Sequence, residues 1–261
     1  MTMRIDSPAN EKVKQTVKLL SSAKARRETA RFVLEGVRLT TDAVKSGIKA
    51  EWFFYTAAAM EKYPQEFSLL HTKAESSFEV SRAVMDKLSD TENGQGFVLV
   101  CRKPERTLQL RPGGTYIALE NIQDPSNLGA VCRTAEALGV SGAILCGCCD
   151  VYNPKAQRAA MGSLLRLGLL LTDDLCGVLR QCSNMGLRLF STTPDASATA
   201  ITAVDFSGGS VAVIGNEGNG VSAETVALCT PVTIPMLGRA ESLNASMAAA
   251  ITMWEMLRGQ V

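Results

Sequence analysis

Short apolar runs alternate with segments of helical periodicity along most of the chain. In the first hundred residues this pattern predicts three strands and two helices, namely strands at Phe32–Gly36, Glu51–Tyr55 and Gly96–Cys101 and helices at Val37–Ser46 and Ser81–Leu88. A polar stretch with Pro104, Pro112 and the pair Gly113-Gly114 follows, which is typical of a linker. We therefore predict a small α/β domain at 1–105 and a linker at 106–114.

The second half repeats the strand and helix alternation and predicts a larger α/β domain at 115–261. Its five predicted strands are Tyr116–Leu119, Ala143–Cys146, Leu187–Ser191, Val211–Ile214 and Val232–Ile234. The first four are short, apolar and separated by helix-like segments, so we expect a mostly parallel sheet.

One helix of this domain is predicted at Asn127–Leu138. Its residues Leu128, Val131, Ala135 and Leu138 form an apolar stripe at helical spacing, with Ser126 as the expected cap and Gly139 as the expected end. Arg133 lies on the opposite face of this helix.

A second helix is predicted at Leu243–Leu257, with Ser242 as its expected cap. One of its faces is apolar and contains Leu243, Met247, Ala250, Trp254 and Leu257. Small neighbouring residues allow close approach, so this face can pack against the sheet or a partner subunit, and ordinary core packing explains it equally well.

The composition narrows the class of protein. Among 261 residues, 46% are hydrophobic and the formal net charge is +1, which favours a well-formed core and argues against a uniformly basic coat protein. No apolar run is long enough to cross a bilayer, and Met1–Asn10 lacks the pattern of a signal peptide. We expect a soluble, cytoplasmic protein.

The cysteines do not form a convincing metal site. Cys146 and Cys149 have CxxC spacing within a group that also contains Cys148, but no second ligand pair accompanies them. The single histidine, His71, is distant in sequence. We expect reduced, partly buried thiols and no bound metal, and we assign His71 a surface or packing role.

Three stretches in the second half combine glycine with polar residues at the ends of apolar runs. They are 120–133, 214–220 and 234–244. Because ligands of open α/β sheets bind where strands end, we expect the three stretches to form one composite site. Gly215-Asn-Glu-Gly-Asn-Gly220 matches neither GxGxxG nor a Walker loop, which disfavours a nicotinamide-dependent oxidoreductase or an NTPase. Alone, it could be only a tight turn.

Together the stretches resemble the SpoU (TrmH-like) family of S-adenosylmethionine-dependent RNA 2′-O-ribose methyltransferases. The motifs are Asp124-Pro-Ser-Asn127 with Arg133, then Gly215–Gly220, then Ile234-Pro-Met-Leu-Gly238 with Ser242-Leu-Asn244. More weakly, two stretches resemble an L30e-like RNA-binding module, namely Phe32–Arg38 and the pattern Val80-Ser-Arg82 with Leu88-Ser-Asp-Thr91 and Gln95-Gly96.

The resemblance implies a trefoil-knotted α/β domain that works as a homodimer. It also implies a set of residues around S-adenosylmethionine: Ile214, Gly215, Asn216, Glu217, Gly218, Ile234, Met236, Gly238, Ser242, Leu243 and Asn244. Gly215 and Gly238 would allow close approach of the backbone to the cofactor.

The resemblance further implies that Asn127, Arg133, Glu217 and Asn244 are catalytic. A guanidinium stays protonated, so Arg133 is expected to bind the target phosphate or polarise the 2′-oxygen rather than to act as a base. Glu217 is expected to orient Asn127 or Arg133. Asn244 would hold the loop or contact the ribose, or else only cap the following helix.

RNA is expected to bind through Arg133 and a basic stretch in the first domain. The basic residues assigned to this role are Lys24, Arg26, Arg27 and Arg31. The aromatic run Trp52–Tyr55 could stack on bases, although core packing is favoured. Ribosomal RNA is the preferred substrate and transfer RNA the alternative. A non-catalytic RNA-binding or assembly factor of the same fold is the competing class.

Overall fold

The chain divides into two compact units, which a computed structural model describes at residues 3–91, 94–105 and 107–259. Unit 1 comprises Met1–Glu105 with Asp150–Leu165, and unit 2 comprises Arg106–Cys149 with Arg166–Val261. The outer ends of both predicted domains and the first linker residue, Arg106, lie outside the described residues.

Unit 1 is an α/β domain. Its elements up to residue 105 are β1 (Met3–Ile5), α1 (Glu11–Ser21), α2 (Ala23–Thr29), β2 (Arg31–Glu35), α3 (Val37–Lys45), β3 (Ala50–Tyr55), α4 (Ala57–Lys62), α5 (Pro64–Lys73), β4 (Ser76–Val80), α6 (Arg82–Leu88) and β5 (Phe97–Arg102). The sheet order is β1-β4-β3-β5-β2. The predicted strands are confirmed, and Trp52–Tyr55 is buried, which confirms the preference for core packing.

The segment Asp150–Leu165 corrects the predicted domain division, because it belongs to unit 1. The Arg26 Nε lies 2.7 Å from the Asp150 carboxylate, and the ring of Tyr152 lies 4.7 Å from that of Phe32. Through these contacts the segment Asp150–Leu165, which lies in the second half of the sequence, packs within unit 1.

The predicted linker also differs from the structure, since its described residues pack within unit 2. Leu108 donates its backbone N–H to the Leu169 carbonyl at 3.0 Å, and Arg111 donates to the Tyr116 hydroxyl at 2.9 Å. Leu108 and Leu110 also contact the apolar core of this unit.

Unit 2 is built on a seven-stranded sheet. Its chain order is β6 (Thr115–Glu120), α7 (Pro125–Leu138), β7 (Gly142–Cys146), then α8 (Pro154–Ala160) within the segment Asp150–Leu165, and then β8 (Leu169–Thr172), α9 (Leu175–Asn184), β9 (Arg188–Thr192), β10 (Thr199–Ala200), β11 (Ser210–Ile214), α10 (Ala223–Val226), β12 (Thr230–Thr233) and α11 (Ala245–Leu257). The five predicted strands are confirmed with small shifts at their ends.

The sheet order is β10-β12-β9-β11-β6-β7-β8, and each pairing between its described strands is parallel. The parallel prediction is therefore confirmed. Because Ile214 pairs with Leu119 and Thr192 with Val232, the carboxyl ends of four strands reach the same edge. The loops that follow these strands can therefore converge.

The helix that carries Arg133 begins earlier than predicted. Asp124, rather than Ser126, is its cap, because the Asp124 carboxylate accepts from the backbone N–H of Ser126 at 2.5 Å. Gly139 ends α7 with φ of 78°, as predicted. Leu128, Val131 and Ala135 are buried whereas Arg133 is exposed, which confirms the predicted orientation.

The structure also corrects the predicted orientation of α11. Its cap is Asn244 rather than Ser242, and the buried face contains Ala249, Met253 and Met256. On the predicted apolar face, Met247 is 54% and Trp254 is 49% exposed. On that face Leu257 is buried and Ala250 is partly buried, so packing against the sheet is wrong for the exposed Leu243, Met247 and Trp254. The helix packs mainly against α7 and also against β11 and β6.

The cysteines behave mainly as small hydrophobic residues. Burial raises the pKa of the Cys132 thiol to about 12 and that of Cys148 to about 11. The eight cysteines are free thiols. Among the described residues, no cluster of three or more histidine, cysteine or acidic side chains could hold a metal ion. Within the same ranges, no helix is long and apolar enough to cross a membrane.

Candidate active site

A cleft of about 530 Å³ opens where the loops after β9, β11 and β12 converge in unit 2. Nine of the predicted cofactor residues line it: Ile214, Gly215, Asn216, Glu217, Gly218, Ile234, Met236, Ser242 and Leu243. Gly238 and Asn244 are not among the described residues that form its wall. The cleft therefore unites the second and third sequence motifs.

The sequence prediction missed part of this wall. Thr192, Thr193 and Pro194 line the cleft from the carboxyl end of β9. The same rule that selected the other stretches could have found them, because polar residues and a proline directly follow the predicted strand Leu187–Ser191. These residues were missed because no glycine-rich pattern accompanies them.

The loop after β11 is a tight, internally bonded turn. Asn216 and Gly220 exchange two backbone hydrogen bonds, at 3.1 and 2.8 Å, and Gly220 has φ of 68°. The Asn216 side-chain oxygen accepts from the backbone N–H groups of Gly218 at 2.9 Å and of Asn219 at 3.3 Å. The loop shape is thus determined by one asparagine and its flanking glycines.

The glycines of these motifs have different surroundings. A Cβ atom on Gly215 would lie 2.1 Å from the Gly220 carbonyl carbon, so the turn itself requires glycine there. A Cβ on Gly218 would come no closer than 3.4 Å, to the Asn216 side chain, and one on Gly238 would meet nothing within 4 Å. Close backbone packing within the loop therefore accounts for Gly215, and the described structure gives no such reason for Gly238.

Three of the four predicted catalytic residues form one hydrogen-bonded chain. The Asn127 amide nitrogen donates to the Glu217 carboxylate at 2.5 Å, and the Asn244 amide nitrogen donates to the Asn127 carbonyl oxygen at 3.2 Å. A carboxylate can only accept, so this contact fixes which way the Asn127 amide points. The three motifs, distant in sequence, meet at Asn127.

Asn244 has a second role that limits its freedom. Its side-chain oxygen accepts from the Ser246 backbone N–H at 2.9 Å and from the Ser246 hydroxyl at 2.6 Å. The residue therefore caps α11, which is one of the alternatives left open by the sequence, and it also bonds to Asn127.

Arg133 does not join this chain. It is exposed, and the described part of the chain offers its side chain no hydrogen-bond or ion-pair partner. Six residues of helix separate it from Asn127, which corresponds to a rise of about 9 Å. Within one chain, the structure therefore leaves Arg133 on the surface of α7 and available to an external anion.

The predicted RNA-binding residues of unit 1 fall into two groups. Lys24 and Arg27 are exposed, as binding to RNA requires. Arg26 is buried, donates to the Leu19 carbonyl at 2.6 Å and pairs with Asp150, so its predicted role is corrected to a structural one. Arg31 is partly buried and lies 2.6 Å from the Glu51 carboxylate.

His71 lies on α5 of unit 1, and its ring stacks on Phe67 at 5.2 Å. The residue is exposed, so this placement agrees with the predicted surface or packing role.

Comparison with family profiles gives two matches, one to each half of the chain. The SpoU rRNA Methylase family matches residues 114–254, and the MRM3-like substrate binding domain matches residues 10–99. The first match contains every residue assigned to the cleft and to the hydrogen-bonded chain.

Similar proteins span nearly the whole chain. An uncharacterised tRNA/rRNA methyltransferase of Synechocystis is 33% identical, covering 98% of this chain and 94% of the relative. RlmP of Bacillus subtilis, named as a 23S rRNA guanosine 2′-O-methyltransferase, is 30% identical, covering 98% and 99%. The crystal structure of an AdoMet-bound rRNA methyltransferase from Sinorhizobium meliloti aligns with a TM-score of 0.89 at 28% identity, covering 100% and 99%.

Proposed function

The chain belongs to the SpoU rRNA methylase family, and on that premise we propose that it methylates a ribose 2′-hydroxyl of ribosomal RNA with S-adenosylmethionine as donor. The observation that carries this proposal is the hydrogen-bonded series of side chains Asn244, Asn127 and Glu217 beside the cleft. It joins all three family motifs through side chains rather than through backbone packing alone.

The cleft suits S-adenosylmethionine in size and chemistry. Its volume of about 530 Å³ falls within the range of small-molecule sites, and Ile214, Ile234 and Met236 supply an apolar wall for a base. Thr192, Thr193 and the loop at Gly215 add polar groups around it. When bound, the cofactor supplies an activated methyl group together with its own leaving group.

The protein side chains orient the RNA and supply charge near the reacting 2′-oxygen. Glu217 and Asn244 hold the Asn127 amide by opposite ends, so its remaining N–H can donate to the RNA without reorganisation. The Glu217 carboxylate has acceptor positions that Asn127 does not use, and one of them can accept a hydrogen bond from a ribose hydroxyl. Arg133 remains protonated and would bind a phosphate or stabilise the developing charge on the 2′-oxygen.

Unit 1 is the proposed RNA-delivery module. It contains 19 lysine and arginine residues against 15 acidic ones, whereas unit 2 contains 8 arginine residues, no lysine and 11 acidic ones. The net charges are therefore +4 and −3. Because RNA carries a phosphate at every nucleotide, the positive unit is the better attachment surface, and the exposed Lys24 and Arg27 are its first candidates.

Two further properties of the family are proposed for this chain. The first is the knotted path, which the all-parallel sheet and the packing of α11 against α7 and β11 support. The second is a homodimer. The exposed face of α11, with Met247, Ile251 and Trp254, presents the apolar surface that such an interface requires.

The homodimer can be tested by light scattering. We expect twice the chain mass of 27.9 kDa for the unmodified protein and a single-chain mass for the double variant Ile251→Glu/Trp254→Glu. Because both side chains face away from the core, the variant should remain folded. A single-chain mass of the unmodified protein at micromolar concentration would contradict the dimer.

The proposed activity is tested by mapping ribose methylation in ribosomal RNA from cells with and without this chain. We expect one methylated ribose to disappear when the chain is absent. Unchanged ribosomal RNA accompanied by loss of a ribose methyl group from transfer RNA would support the alternative substrate instead. We also propose a cytoplasmic location, which the similarity to the bacterial 23S rRNA methyltransferase RlmP supports.

A further inference from the structure

A buried carboxylate lies directly before the first motif and is not explained by the proposed chemistry. Glu120, the last residue of β6, is 6% exposed. Its carboxylate accepts from the Ser222 backbone N–H at 2.8 Å, the Ser222 hydroxyl at 2.7 Å and the Thr225 hydroxyl at 3.0 Å. These donors belong to the end of the loop that follows β11 and to the start of α10.

The next residue, Asn121, holds the other end of the same loop. Its carbonyl oxygen accepts from the Asn216 side-chain amide at 3.0 Å, and its backbone N–H donates to the Cys146 carbonyl at 2.8 Å. The residue has φ of 58°, which turns its carbonyl away from the strand direction. Two consecutive residues of β6 and its exit thus bind both ends of the loop Gly215–Ser222.

That loop carries Glu217, which holds Asn127. Asn127 in turn lies six residues after Asn121 on the segment that leaves β6. The contacts therefore link three elements. Residues at the end of β6 hold the loop, the loop carries Glu217, and Glu217 bonds to Asn127 on the helix that follows β6. Neither Glu120 nor Asn121 is among the described residues that line the cleft, so neither is placed to touch the cofactor.

We propose that Glu120 and Asn121 act as a positioning clamp, which sets the loop Gly215–Ser222 so that Glu217 orients Asn127 for methyl transfer. The inference rests on the proposed function, because it assigns a role within the same site. A carboxylate suits this place better than an amide. Its two acceptor oxygens bind three donors, whereas a glutamine has one such oxygen, so the hydroxyls of Ser222 and Thr225 would have to turn and accept from its N–H groups.

The test combines the variant Glu120→Gln with Glu217→Ala in a double-mutant cycle. The readout is the single-turnover rate of methyl transfer to ribosomal RNA at saturating cofactor. Because displacement of a positioned group by about 1 Å can cost up to ~100-fold, we expect Glu120→Gln alone to slow transfer by about 10- to 100-fold. In the Glu217→Ala background, the same change should slow transfer by less than about threefold.

A matched control comes from the opposite end of the same strand. The Ser141 hydroxyl accepts from the Thr115 backbone N–H at 3.1 Å, so Ser141→Ala removes a comparable contact far from the loop. It should lower the melting temperature without changing the transfer rate. If Glu120→Gln fails to fold, Ser222→Ala removes one bond of the clamp and should show the same non-additivity with a smaller rate loss.

Hydrogen exchange separates this proposal from the assignment of function. The amides of Gly218 and Asn219 are bonded to Asn216, so Glu120→Gln should speed their exchange even if the RNA substrate is wrong. Unchanged exchange at these amides would overturn the clamp. Rate losses that multiply in the double variant would overturn the route through Glu217. A wild-type protein without methyl transfer, but with faster loop exchange in Glu120→Gln, would reject only the proposed function.

Discussion

Substitution by alanine should have opposite effects at two glycines of the loop after β11. Both Gly215 and Gly218 line the cleft. A Cβ on Gly215 would lie 2.1 Å from backbone atoms of Gly220, whereas a Cβ on Gly218 would lie 3.4 Å from a side-chain oxygen. The added methyl group of alanine should therefore deform the loop at the first position and fit at the second.

The magnitude follows from the size of the clash. To restore ordinary contact, Gly215→Ala must separate the two sides of the turn by about 1.3 Å, the difference between 2.1 and 3.4 Å. The pair of hydrogen bonds between Asn216 and Gly220 cannot stretch by this amount and remain formed. Since misplacement by about 1 Å can cost ~100-fold, we expect cofactor affinity to fall at least ~10-fold.

Calorimetric titration with S-adenosylmethionine measures both variants directly. Gly215→Ala should bind at least ~10-fold more weakly than the unmodified protein, and Gly218→Ala should stay within about threefold. Circular dichroism melting would establish that both variants are folded. Equal affinity of a folded Gly215→Ala protein would refute the reasoning. If Gly218→Ala weakens binding as much, glycine is required by the ligand rather than by the turn.

Three further predictions concern other parts of the molecule. Arg133→Ala should keep cofactor affinity but lower single-turnover transfer by at least ~100-fold, and substantial rescue by Arg133→Lys would favour a simple charge over a planar guanidinium. Lys24→Ala and Arg27→Ala should each reduce the slope of log affinity against log salt for RNA by about 0.7 to 0.9, whereas the buried Arg26→Ala should cost about 3 kcal/mol of stability in urea titrations. The buried Cys132 thiol has a pKa of about 12 against an ordinary 9.0, so the folded chain retains a proton that the unfolded chain releases. Unfolding free energy should therefore fall from pH 9 to 12, and less steeply in Cys132→Ala.

The parts of the fold that follow from local pattern could be predicted from the sequence. Short apolar runs in unit 2 indicated parallel strands, and polar residues at their ends indicated the site edge, because these features depend on neighbours in the chain. Asn127, Glu217 and Asn244 were assigned through the resemblance of these stretches to the SpoU family. Their hydrogen bonds to one another could not be predicted, because these depend on how three distant loops are superposed.

Other features depended on tertiary choices that the pattern leaves open. Both faces of α11 can pack, and periodicity selected the face with Met247 and Trp254, although the face with Ala249 and Met253 is the buried one. Asp150 binds Arg26 across 124 positions of sequence, so neither the packing of Asp150–Leu165 within unit 1 nor the burial of a basic side chain was visible locally. In the same way, the acceptor role of Glu120 becomes apparent only when β11 lies beside β6.

The central claim is tested most directly by transfer of a labelled methyl group in vitro. Purified protein is incubated with ribosomal RNA and S-adenosylmethionine labelled in its methyl group, and the RNA is then digested to nucleosides and analysed by mass spectrometry. We predict that the label appears in one 2′-O-methylated nucleoside and that Asn127→Ala reduces it by at least ~100-fold. Label confined to a methylated base, or no label in ribosomal RNA despite cofactor binding, would contradict the account.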